Sequence, residues 1–545
     1  MTGPAAAATF DSRVAAPGNP VRSHAGVAVG PVPATFASRW RRAVRAVPDR
    51  PFLTWESREG RVHTWTYESF DALVQRTAGG LTAHGVSAGD AVHLVLANSP
   101  VFVATWLAAM QLGAWIVPSD PFAPAGELAG HLARTSARIG ICATDRADTY
   151  RNAVGDRAIA VMAVDEDDVT LDVLAGPKVD SAPSGPLDRA AVMFTSGTTS
   201  APKGVVITQA NYAFAGDVMA AAAAFTPADR CLVVLPLFHA NAQYYSFAAA
   251  ISAGASVVLV PAFSASGFLS QAARHGATHA SLFAAPLRMI LAKQPPPEPS
   301  IALRHCWFAQ DIAAEQHAEL TRLFGCAPRQ LYGMTETIPA VLSSPALRAR
   351  HDAIGGPTLG CAVRLAALGA NEHPEIQVGG RRGVELFAEY LDDPATTAES
   401  FTADGWFRTR DRAWTDEHGE WHFAGRNADV LKVAGENVST VEIEAVLSAH
   451  IDVLEAAVIG EADPMRDEVP IAFVVAAPHV DHLDVDELHR WCEERLSKVK
   501  RPRRIEIVEE LPRTSVGKIR KFVLRTPPPV VPESSLRHET ETRTG

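Results

Sequence analysis

At 545 residues the chain is too long for one ordinary hydrophobic core and should divide into two or three units. Its 47% apolar and 20% charged residues are those of a globular protein, and a net charge of −11 argues against nucleic acid as a partner, since a phosphate backbone needs a basic face. Six scattered cysteines with no CxxC pair and no metal spacing read as reduced core residues, which places the protein in the cytoplasm.

Residues 1–33 are rich in Ala, Gly and Pro and lack a basic stretch followed by an apolar one, so they read as a disordered tail and not a signal peptide. From residue 34 short β-branched runs, CLVVL (231–235), SVVLV (256–260) and THASLFA (278–284), alternate with helical spacing in FLSQAARHG and AAEQHAELTRLFG. Strand–helix–strand at this rhythm predicts an α/β fold of parallel sheets covered by helices. The longest weakly polar run, FAAAISAGASVVLVPAF, is interrupted by Ser, Gly and Pro and predicts no membrane span. Beyond about residue 429 the texture changes to DVLKVAG, a helix in STVEIEAVLSAH, strands in VLEAAVIG and VPIAFVVAA, a helix in DVDELHRWCEERLSK and a strand in RRIEIVEE. That is a compact α+β unit. Residues 526–545 are Pro-rich, then polar, and read as a second disordered tail.

Within the first unit the stretch FTSGTTSAPKGV (194–205) follows an apolar run and combines five hydroxyl side chains with two glycines and a lysine. Thr195, Ser196, Thr198 and Thr199 offer hydroxyl donors, and Gly197 lets the backbone approach an anion closely. It is not a Walker loop, because Pro202 precedes Lys203 and Gly204 follows it. No GxGxxG suggests a dinucleotide. Composition alone leaves a solvated Ser/Thr loop level with a phosphate-binding one.

Four further motifs separate the two: LPLFHANAQYYS (235–246), QLYGMTET (330–337), the long run from GWFRTRD to STVEIE (405–444), and LPRTSVGKIRK (511–521). In this order, across nearly the whole chain, they resemble the adenylate-forming superfamily of acyl-CoA synthetases, adenylation domains and luciferases. Within it the chain is most similar to the crotonobetaine/carnitine-CoA ligase type. The resemblance implies a large N-terminal domain of βα-layered sheets (34–426) and a small mobile lid (427–525), with ATP, Mg²⁺ and CoA as reactants. It also implies roles. The 195–203 loop would hold the β- and γ-phosphates, Glu336 the magnesium, Thr335 the α-phosphate, Tyr332 the adenine, and Asp411 with Arg426 the ribose. Lys518 would bridge the α-phosphate and the substrate carboxylate. His239 falls where the family often has the floor of the substrate pocket, and a purely structural role for it stays open, as it does for Gln243 and Tyr244.

Chemistry asks for such a set independently: an anionic nucleophile attacking a phosphate needs cations to neutralise both partners and the leaving pyrophosphate. Two departures from the family pattern stand out. Arg410 replaces the glycine of T-G-D, and Ala428 occupies the hinge position that is commonly Asp or Lys. The expected function is therefore an ATP-dependent ligase that adenylates a small acid and passes it to CoA. The alternatives are an enzyme with a non-CoA acceptor, such as nitrite activation for diazotisation of an aromatic amine or an amide-type ligation, and a non-catalytic nucleotide-binding relative.

Overall fold

The computed structural model describes residues 33–180, 182, 184–195, 202–368, 373–426, 430–433, 436–480, 482–513 and 519–524. Both expected tails lie almost wholly outside this set.

The apolar runs fold as the alternation predicts. Cys231 lies in strand Arg230–Val233, Val257 in Ser256–Leu259 and Ser281 in His279–Phe283, and these pair in parallel. They belong to a nine-stranded sheet whose parallel centre also takes in Pro51–Glu56, His305–Ala309 and Arg329–Tyr332. A second sheet of seven strands has a parallel core of Ala91–Val95, Trp115–Pro118, Ile139–Ala143, Ala160–Val164 and Arg189–Thr195. Helix Pro100–Leu112 is buried at every residue, as a helix enclosed on all sides must be. Its limits follow from sequence: Ser99 caps the first turn, Pro100 sits where its missing N–H costs nothing, and Gly113 closes it at φ +66°. Trp106 on this helix meets Phe36, Tyr212 and Phe247, tying the layers together through aromatic contacts.

The expectation of parallel sheets holds only for these cores. The nine-stranded sheet ends in antiparallel strands at both edges and the seven-stranded sheet at one, and a separate four-stranded sheet built from Ala362–Ala366, Glu375–Gly379, Phe407–Thr415 and Trp421–Arg426 is antiparallel throughout. Strand–helix rhythm carries no signal for strands joined by short loops, and two of those strands carry Asp411 and Arg426.

The C-terminal α+β unit forms where the sequence texture changes. Val453–Asp463 and Asp467–Ala476 pair antiparallel, Arg504–Ile507 adds in parallel, and helices Thr440–Ser448 and Val485–Arg495 lie against them. Ile443, Leu447, Val458, Val474, Leu488 and Cys492 make a core on one face, and Ile459, Ile471, Phe473 and Leu511 make one on the other. All six cysteines are free, four of them buried.

Candidate active site

The hydroxyl-rich stretch falls between the two strands of a β-hairpin. Strand Arg189–Thr195 pairs antiparallel with Lys203–Thr208, and Thr195 lies opposite Lys203, so the loop leaves and re-enters the sheet at adjacent positions. Ser196, Gly197, Thr198 and Thr199 lie outside the described residues. The Lys203 ammonium sits 4.7 Å from the centre of the Tyr390 ring. Tyr390 donates its hydroxyl to Oε1 of Glu336 at 2.9 Å. Lys203 and Glu336 are thus joined through one tyrosine, although 133 positions separate them in sequence.

Glu336 sits in a short helical turn, Thr335–Thr337, directly after strand Arg329–Tyr332, and is only 5% exposed. Burial raises its carboxyl above the ordinary range; its own backbone amide, the Tyr390 hydroxyl and the nearby Arg426 and Lys203 cations pull the other way. Its carbonyl accepts from the Phe387 amide at 2.9 Å. Thr335 beside it is half-buried. Two positions on, buried Ile338 has φ +69° and ψ −77°, a conformation that costs a β-branched residue on the order of 1–3 kcal/mol and survives only where its surroundings impose it.

The second cluster lies at the edge of the antiparallel sheet. Asp411, 2% exposed, faces Arg426 across the strand pair and accepts from its Nε at 2.6 Å. The Tyr332 hydroxyl donates to the other Asp411 oxygen at 2.7 Å. Tyr332 therefore joins the strand that leads into Glu336 to the sheet that carries Asp411. Arg410 takes the glycine-like backbone at φ +62°, its amide donating to Glu375 at 3.0 Å, and its side chain is exposed.

A third element borders the site. Asn98 accepts from the Leu237 amide at 2.8 Å and donates to the Leu235 and Val260 carbonyls, pinning the LPLFH segment. His239 follows, its ring 4.5 Å from Phe238, and burial lowers its pKa to about 4. Residues Ala242–Ala248 then form a fully buried π-helical turn, a distortion found mostly at functional positions. Gln243 is structural here: it accepts from Tyr212 and donates to the Leu237 carbonyl at 2.6 Å. A Cβ at Gly333 would come within 2.9 Å of both the Tyr245 hydroxyl and the Pro339 carbonyl, so the turn before Glu336 has no room for a side chain.

Sequence reasoning singled out Lys203, Glu336, Tyr332, Asp411 and Arg426; Tyr390 stands between Lys203, which lies over its ring, and Glu336, which accepts from its hydroxyl, while Tyr332 and Arg426 both hydrogen-bond Asp411. That reasoning missed Tyr390, whose surroundings in ELFAEYLDDP carry no spacing signal. Lys518 and Ala428 lie outside the described residues.

Residues 40–382 match the AMP-binding enzyme family, and residues 442–518 match the AMP-binding enzyme C-terminal domain. The chain belongs to the AMP-binding enzyme family. Crotonobetaine/carnitine–CoA ligase of Citrobacter koseri is 32% identical over 506 residues, covering 89% of this chain and 98% of that protein. Among solved structures, ATP-bound MatB from Rhodopseudomonas palustris is 26% identical with a TM-score of 0.81, covering 90% of this chain and 98% of that one. The apo form of MatB, at the same identity and coverage, gives 0.71. As a member of the acyl-CoA ligase branch of the family, this enzyme is an ATP-dependent, AMP-forming ligase. Among the described residues no helix is long and apolar enough to cross a membrane.

Proposed function

We propose that the enzyme converts a small carboxylic acid to its acyl-adenylate and then to its CoA thioester. In the first step a carboxylate oxygen attacks the α-phosphorus of ATP, the bond to the bridging oxygen breaks, and pyrophosphate leaves. In the second the CoA thiol, giving up its proton, attacks the acyl carbonyl and AMP leaves. The observation that carries this reading is the coupling of Lys203 to buried Glu336 through Tyr390, beside the Asp411–Arg426–Tyr332 cluster.

Lys203 and the hydroxyls of residues 195–199 hold the β- and γ-phosphates and stabilise pyrophosphate as it departs. Thr335 donates to the α-phosphate. Asp411 accepts from the ribose hydroxyls, with Arg426 and Tyr332 fixing its orientation, and Tyr332 presents its ring to the adenine. Lys518 neutralises the attacking carboxylate and the α-phosphate together. His239, kept uncharged by burial, borders the acyl group.

Glu336 suits magnesium: it is a hard oxygen donor whose charge is penalised by burial, with one oxygen already fixed by Tyr390. Bound there, magnesium would screen the phosphate charges during displacement. CoA as acceptor rests on the relatives that are CoA ligases. We further assign the domain limits 34–426 and 427–525, the second domain turning about Ala428 between the two steps.

The test is pyrophosphate release over a panel of carboxylates and nitrite, each with and without CoA and with and without aryl amines. The expected result is acid-dependent release and a CoA-dependent thioester. Release that depends on nitrite or an amine and ignores CoA would overturn the assignment of the acceptor.

A further inference from the structure

Helix Ala125–Thr135 touches the hairpin of Arg189–Thr195 and Lys203–Thr208 and its connecting segment without belonging to either of the two clusters above. On it, Arg134 makes three contacts with the hairpin and its neighbour. One Nη donates to the Pro202 carbonyl at 2.7 Å, at the exit of the loop. The other donates at 3.0 Å to the carbonyl of Leu391, the residue after Tyr390. The guanidinium carbon lies 5.1 Å from the ring centre of Phe194, at the start of the loop. One cation therefore touches both ends of the loop and the strand that carries the partner of Glu336.

One turn earlier, His131 stacks flat against the same Phe194 ring, with centroids 4.0 Å apart and planes 4° from parallel. A buried chain fixes this imidazole: His131 Nδ1 bonds Ser119 Oγ at 2.8 Å, Ser119 Oγ bonds His93 Nε2 at 2.9 Å, and His93 Nδ1 bonds the Tyr150 hydroxyl at 2.8 Å. Packing from the other side is equally close. A Cβ at Gly204 would approach Leu391 Cβ to 3.0 Å and the Phe194 ring to 3.2 Å. Phe194, Pro202, Gly204 and Leu391 form one assembly, clamped by Arg134 and floored by His131.

We propose that Arg134 and His131 are positioning residues for the triphosphate: they fix the separation of the two ends of the loop and hold it in register with Tyr390 and Glu336, without touching nucleotide. The inference rests on the reading of the 195–203 loop as the holder of the β- and γ-phosphates. It has a specific consequence. The brace acts on the part of the site that meets those two phosphates and on none of the Asp411 cluster, so it governs affinity for ATP and not for AMP.

The test is calorimetric titration of the full chain with MgATP and, separately, with AMP, for the unmodified protein, Arg134→Ala and Arg134→Lys. Removing two hydrogen bonds from a charged donor should weaken MgATP binding about tenfold and leave AMP within about twofold. Lysine, which keeps the charge but not the fork, should fall between. His131→Ala, which removes the floor beneath Phe194, should weaken MgATP and spare AMP in the same way. Equal losses for both nucleotides, or unchanged MgATP affinity in Arg134→Ala, overturn the inference. An unmodified protein that binds AMP but no tighter with MgATP points instead to failure of the phosphate-loop reading itself.

Discussion

The site clusters of the large domain and the ion pairs of the C-terminal domain handle charge in opposite ways. Asp411 and Glu336 are almost wholly buried, and each is held by a tyrosine hydroxyl that arrives from a different strand. In the C-terminal domain the pairs are mostly at the surface, such as Arg504 with Glu461 at 3.2 Å, their side chains 51% and 52% exposed. Exposed pairs of this kind contribute about 0–1 kcal/mol and are cheap to break, whereas losing one partner of a buried group leaves a desolvated charge behind. The buried site carboxylates of the large domain are therefore costly to leave without a partner, whereas the exposed pairs of the C-terminal domain are not. The partly buried pair of Arg513 and Glu455, whose charges both reach Arg288 of the large domain, is an exception among the described residues.

Breaking the reactive end of the C-terminal domain should have the largest effect. Lys518→Ala removes the one charge this domain is proposed to aim at the transition state, and adenylation should slow by about 10²–10³-fold. ATP affinity should stay near normal, because the loop proposed to hold the phosphates and the Asp411 cluster are left unchanged. Single-turnover pyrophosphate release checks this, and near-normal turnover would remove Lys518 from the mechanism.

Glu336→Gln tests the opposite design. Burial raises the Glu336 carboxyl, so the folded state disfavours its ionised form, and whatever stability protonation confers is lost as pH rises through that raised pKa. A neutral amide escapes this penalty. The variant should lose on the order of 10²-fold in adenylation and require more magnesium, while its thermal midpoint at neutral pH stays level or rises. An unchanged magnesium titration would place the metal elsewhere, and a large fall in midpoint would mean that the carboxylate is structural.

How much of this was legible beforehand divides along the same line. The parallel cores, the C-terminal unit and the chemical identities of Lys203, Glu336, Asp411 and Arg426 follow from alternation and ordered motifs. What could not be read is who holds them. Tyr390 reaches Glu336 from 54 positions away, and Arg134 reaches Leu391 from 257 away. Such contacts join elements far apart in the chain, a helix to the end of an edge strand in one case and a turn to that strand in the other, and no local period encodes them. Arg410 is an intermediate case: its departure from glycine is visible in the sequence, but its positive φ is not.

Histidines sharpen the contrast at moderate size. Burial lowers the pKa of His93 to about 3 and of His131 and His239 to about 4, all three in the large domain. Unfolded histidine takes its proton near pH 6.5, so between that pH and the folded values the unfolded chain binds more protons than the native one. Stability is fully present above about pH 6.5 and falls as pH drops towards 4. Even one such group gives a slope of about 1.4 kcal/mol per pH unit. Urea midpoints measured from pH 7.5 to 5 should hold down to about pH 6.5 and then fall, and a flat profile throughout would mean that these imidazoles are solvated in the native state.

The smallest effect expected is at Arg410, where the two ways of handling charge meet in one residue. Its backbone amide belongs to the buried network, bonded to Glu375, while its side chain is exposed. A left-handed backbone costs a non-glycine residue roughly 1–2 kcal/mol, and glycine returns about 0.5–1 kcal/mol of that through its greater freedom when unfolded. Arg410→Gly should therefore stabilise the protein by less than about 1 kcal/mol, because the amide bond to Glu375 is untouched. The guanidinium also adds a weak positive field at Tyr390, so its loss should cut ATP affinity by no more than about threefold. Urea midpoints and MgATP titration separate the two contributions. A fall in stability would show that the exposed cation does more for the fold than its backbone strain costs, and a large loss of ATP affinity would make Arg410 part of the charge the site presents to phosphate.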